Sequence, residues 1–137
     1  MKPRRVELDG SESARDAMLR VVATRLEEAT ERSAALAQAG SQELHQFRIA
    51  CKRLRYALER CTEEAPVLAA AGPQLALVQD ALGTVHDCDN LLARLPGGMP
   101  KTAEKLADER AAAVRRCAPL WRDAAIVVRE GLRYYTM

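Results

Sequence analysis

The chain has 137 residues and a mass of 15.1 kDa, enough for one domain with its own core and too little for two. Its 21 Lys and Arg stand against 19 Asp and Glu, a net charge of +2, so any basic surface has to be local. A hydrophobic content of 48% excludes a disordered chain, and 4% aromatics leaves little for stacking single-stranded nucleic acid. No run approaches the roughly 18 apolar residues of a membrane span.

The segments repeat their apolar residues at helical spacing, and none alternates with the period of a strand. Residues 1–10 are polar and read as a disordered or extended N-terminus ahead of a single helical domain over 11–137. Ser11 or Ser13 caps a first helix reaching about Ala39, with Leu19, Val22, Leu26, Ala29 and Leu36 on one face. Gly40 and Ser41 end it, and Ser41 can cap the next. The second helix runs from about Gln42 to Thr62 on a seam of Leu44, Phe47, Cys51, Leu54, Leu58 and Cys61. An Ala-rich connector with room for one turn after Pro66 leads to the third helix, Pro73 to Leu95. Its seam is Leu75, Val78, Leu82, Val85, then Asp89, then Leu92, and Gly83 inside it reads as a site of close backbone approach. After the loop Pro96 to Pro100, a fourth helix follows from about Thr102, where Pro119 is expected to kink or interrupt it. Four helices on short loops imply an all-α, antiparallel four-helix bundle. The cysteines at 51, 61, 88 and 117 form no CxxC pair, and no secretory segment precedes them, which fits reduced thiols in a cytoplasmic protein.

Chemistry concentrates in the second helix. His45, Arg48, Lys52 and Arg55 stand at offsets that bring them within a wedge of roughly 80°, a row about 15 Å long at the shoulder of the apolar seam. Residues 43–60 hold five Lys or Arg against two Glu, a net +3, so the other 119 residues sum to −1. Cations three and four residues apart repel by a few tenths of a kcal/mol each, so something has to offset the row. Three arrangements would do so: ion pairs to Asp80, Asp87 and Asp89 of the third helix, a solvated face with snorkelling stems, or a polyanion laid along the row. Asp89 interrupts an apolar seam and is expected to meet a cation of the second helix, with Asp87 as a further brace.

The run His45-x-x-Arg48-x-x-x-Lys52-Arg53-Leu54-Arg55-Tyr56-Ala57-Leu58-Glu59 resembles the signature helix of the CHAD family, the conserved histidine α-helical domain. Leu77 to Asp89, with its Leu82-Gly83 and Asp87, is similar to that family's following helix, and the spacing between the two blocks also fits. The resemblance implies a helical bundle that binds inorganic polyphosphate through a basic surface, without catalysis and, in some members, on polyphosphate granules. It carries the ligand-facing positions onto His45, Arg48, Lys52 and Arg55, with Arg53 at a further basic position. His86 stands where many relatives have Arg. Typical members hold two copies of the four-helix unit and this chain has length for one, which implies a homodimer.

Other chemistry finds less support. His45 and Cys51 lie about 120° apart around the helix and cannot chelate together, and His86 with Asp89 or Asn90 makes only one pair, so no metal site is expected beyond a divalent cation riding with phosphate. No nucleophile elbow, P-loop or HExxH occurs, and His86 and Asp87 point about 100° apart. An acidic protein partner for the same stripe is the alternative, ahead of RNA or DNA, which the near-neutral remainder of the chain disfavours.

Overall fold

The computed structural model describes residues 1–137, which form six helices and no strand. They are α1 (Ala14–Arg32), α2 (Ala35–Gln38), α3 (Ser41–Glu59), α4 (Pro66–Ala69), α5 (Gly72–Arg94) and α6 (Pro100–Thr136). The all-α expectation therefore holds, as four long helices and two single turns. No helix is long and apolar enough to cross a membrane.

Local signals account for most boundaries. Ser13 Oγ accepts the Asp16 amide at 3.1 Å and caps α1, while Pro66, Pro73 and Pro100 sit in first turns, where a missing N–H leaves no bond unmade. The first helix ends at Arg32 instead of reaching Ala39, because Ser33 turns its hydroxyl back onto the Thr30 carbonyl and α2 restarts the chain for one turn. Ala39 then adopts a left-handed conformation (φ 58°), and Gly40, not Ser41, precedes α3. Pro119 does not interrupt α6, which continues for 37 residues, about 55 Å. The proline faces solvent, where water can take the Arg115 carbonyl that loses its helical donor.

One core of 27 buried residues joins α1, α3, α5 and α6. Phe47 of α3, fully buried, meets the edge of Trp121 of α6 with ring centroids 5.2 Å apart. The Tyr135 hydroxyl accepts the Val67 amide and ties α6 to α4. Burial pushes the Cys61 thiol up to about 11 and that of Cys117 up to about 12, so both stay protonated packing groups. Residues 1–9 form neither helix nor strand and are tied to the bundle: Arg25 donates to the Arg4 carbonyl, Arg4 pairs with Glu27 and Glu31, and Arg53 donates to the Met1 carbonyl.

The glycine that admits a close neighbour is Gly131, not Gly83. A Cβ on Gly131 would lie 2.9 Å from Leu68 Cδ1 and 3.3 Å from the Leu68 Cα, whereas one on Gly83 would meet nothing within 4 Å. Gly83→Ala is thus expected to stabilise the fold by about 0.5–1 kcal/mol through helix propensity. Gly131→Ala should destabilise it by about 1–3 kcal/mol through overpacking. Urea midpoints of the two variants check both signs.

Candidate anion-binding groove

The apolar seam of α3 packs into the core, so the row one quarter-turn away falls at the rim, where α3 meets α5. Chain numbering rises along α3 while it falls along α5. His45 stacks on His86 with ring centroids 5.0 Å apart and planes 18° from parallel, and ten residues further on Arg55 donates to Gln79 Oε1 at 3.1 Å. Between these two cross-links α3 carries Arg48, which lines the cleft, and Lys52, exposed on the helix's outer side. At the histidine end Ser41, Leu44, His45 and Arg48 close on Leu82, Val85, His86 and Asp89 around a cleft of about 10 Å³, room for no more than one water-sized group. At the other end Arg55, Glu59 and Thr62 face Gly72, Pro73 and Ala76 across a wider hollow of about 300 Å³. Gly83, without a side chain, lies on α5 between Gln79 and His86 and leaves the middle of the rim uncovered.

The charges along this rim are unevenly satisfied. Arg55 shares itself between Glu59 (3.0 Å, half-exposed) and Gln79. Arg48 has neither an ion pair nor a hydrogen bond, and Lys52 has only the face of Tyr56, 5.9 Å from its Nζ. His45 Nδ1 is buried without any partner, and the Asn90 amide nitrogen lies 3.3 Å from His86 Nε2. A buried ring nitrogen with no partner and an uncompensated guanidinium on one rim, with the exposed Lys52 a turn further along the same helix, make a place where an acceptor-rich anion gains hydrogen bonds that the fold leaves open.

The family model of the CHAD domain matches residues 2–96, two thirds of the chain and all of this rim. The chain belongs to the CHAD domain family. No curated protein and no solved structure matches it.

In this CHAD domain the expected residues separate into three places. His45, Arg48, Arg55 and His86 come together along the α3–α5 rim, while Lys52 stays exposed on the outer side of α3 with its Nζ over the Tyr56 ring. Arg53 does not join them: five residues beyond Arg48 it has turned about 140° around the helix, toward α1, where it lies with Met18, Val21, Arg25 and Arg60. Asp87 is exposed and pairs with nothing, so the brace expected of it is absent; Asp80 is likewise exposed and unpaired, and of the three arrangements that would offset the row the ion pairs between α3 and α5 do not form. Asp89 does meet a cation, but it is Arg110 of α6, with Nε to Oδ1 at 2.6 Å, and no cation of α3. Arg110 and Gln79 are the two residues at this site that sequence reasoning missed. Each carried a signal: Arg110 interrupts the α6 seam between Leu106 and Ala113 as Asp89 interrupts that of α5, and Gln79 precedes His86 by two turns on one stripe. No three His, Cys, Asp or Glu side chains converge as a metal site.

Proposed function

We propose that this CHAD domain, an antiparallel four-helix bundle, binds inorganic polyphosphate along the α3–α5 rim without turning it over, as a cytoplasmic, granule-associated module. The observation that carries the reading is the pair Arg48 and Lys52, left without carboxylate partners midway between the His45–His86 stack and Arg55. A linear polyanion matches a row about 15 Å long better than a compact ligand does. The histidine-end cleft admits single oxygen atoms, not a whole ligand, so the chain would run over the rim with its oxygens directed inward. Arg forks and the Lys point charge supply the contacts, and His45 Nδ1 gains the partner it lacks. Two chains paired in a homodimer would double the row.

The test titrates the purified chain with long-chain polyphosphate, RNA, heparin and polyglutamate at two salt concentrations. Polyphosphate should bind tightest, and its affinity should fall steeply with salt as condensed counterions are released. Absence of polyphosphate binding at low salt overturns the reading, and preference for polyglutamate would replace it with an acidic protein partner.

A further inference from the structure

The histidine end of the rim contains a group that works against an anion. Asp89 follows His86 by three residues on the same face of α5, and its carboxylate lines the cleft that His45 and Arg48 also line. Its side chain is 20% exposed, so water screens its charge only in part. Arg48, which lines the same cleft from α3, has no partner of its own and is the one arginine or lysine of α3 in that lining. Were the two to pair, the row would lose its free guanidinium and the ligand would meet a negative charge.

In the structure Asp89 is taken by Arg110 of α6 instead. Its Nε donates to Asp89 Oδ1 at 2.6 Å and its Nη2 reaches Oδ2 at 3.5 Å, a two-pronged hold from the side of α6. The same Nη2 donates to the Ala39 carbonyl at 2.7 Å and lies 3.4 Å from Ser41 Oγ, at the turn that starts α3. The guanidinium is thus held by α5, by the turn before α3 and by the first residue of α3, and the Arg110 side chain is only 18% exposed. Arg110 stands beyond residues 2–96, outside the part of the chain that matches the family.

We propose that Arg110 is a positioning residue for the anion site: by holding Asp89 it keeps that carboxylate off Arg48 and leaves the rim open to a phosphate chain. Asp89 is then a built-in competitor of the ligand, and Arg110 decides which cation it takes. The inference rests on the polyphosphate reading above, and its test separates the two.

Binding of inorganic polyphosphate is measured for the parent, Arg110→Gln, Asp89→Asn and the double variant, with helicity and melting temperature recorded for each. Arg110→Gln should bind about tenfold more weakly, the equivalent of one charge-assisted hydrogen bond to the ligand. The double variant should bind as the parent does, because the freed side chain at position 89 no longer carries a charge. Asp89→Asn alone should bind at least as tightly as the parent. A purely structural Arg110 would show the same weak binding in the double variant, which still lacks the bond to Ala39, and that result overturns the proposal. So does parent-like binding by Arg110→Gln, or weaker binding by Asp89→Asn. Should Arg110→Gln fail to fold, Arg110→Lys serves instead: it keeps the charge without the fork and should bind between the two, again with rescue by Asp89→Asn. A parent chain that binds no polyphosphate at all overturns the underlying reading, and this inference with it.

Discussion

Replacing Arg48 and Arg55 together by alanine is expected to lower polyphosphate affinity about 30- to 100-fold, while the melting temperature stays within a few degrees of the parent's. The size follows from two charge-assisted hydrogen bonds at about 1.5 kcal/mol each, reduced for Arg55 because Glu59 already takes part of its charge. Folding is spared because Arg48 makes no ion pair or hydrogen bond in the free protein. Removing it also relieves repulsion with Lys52 four residues on, worth a few tenths of a kcal/mol in favour of the helix. The dependence of log affinity on log salt should flatten by about one unit for each phosphate that is no longer neutralised. Arg53→Ala is the matched control, a cation on the same helix that faces α1, and should cost less than threefold. Isothermal titration at two salt concentrations checks the three binding statements and a thermal melt the fourth, and an equal loss from Arg53→Ala would remove the α3–α5 rim as the site.

The largest effect on stability is expected at Phe47, one residue before Arg48 and on the inward side of the same helix. Phe47→Ala should destabilise the fold by about 3–5 kcal/mol, the combined cost of lost burial and a residual cavity in a fully enclosed position. Against a total stability of about 5–15 kcal/mol that is a large share, and the melting temperature should drop by roughly 10–20 °C. Trp121, the single tryptophan, touches the Phe47 ring edge-on, so its fluorescence reports the change directly. Phe47→Leu, which keeps most of the volume, should lose under about 1.5 kcal/mol. A loss below about 1 kcal/mol for the alanine variant would contradict a tightly packed core at this position.

These two residues also mark what the sequence could and could not disclose. Periodicity separates Phe47 from Arg48 without coordinates, since a seam residue and its neighbour differ by about 100° on any helix. The same periodicity puts His45, Lys52 and Arg55 together and sets Arg53 apart by angle. Helix starts near Pro66 and Pro73 are legible for a similar reason, because proline removes a donor that first turns do not use, whereas Pro100 reads as the end of a loop and α6 begins on it, two residues ahead of the expected start. Contacts between helices are not legible. Nothing local to Asp89 says whether its partner comes from α3 or α6, and spacing alone does not distinguish the open surroundings of Gly83 from the tight ones of Gly131. The break at Ser33 leaves little trace in the sequence, because a hydroxyl returning to a carbonyl three residues back competes with helix continuation only weakly.

The enclosed thiols have a practical consequence. Cys51, Cys61, Cys88 and Cys117 are all buried, and desolvation raises the ionisation point of each, so thiol-directed reagents near neutral pH have no ready native target. Gly83 lies at the uncovered middle of the rim with empty space where a side chain would start. A Gly83→Cys variant therefore offers one addressable sulfur on the α5 side of the rim, three residues before His86, and a fluorophore attached there would report occupancy of the rim in real time without first stripping the chain of its own cysteines.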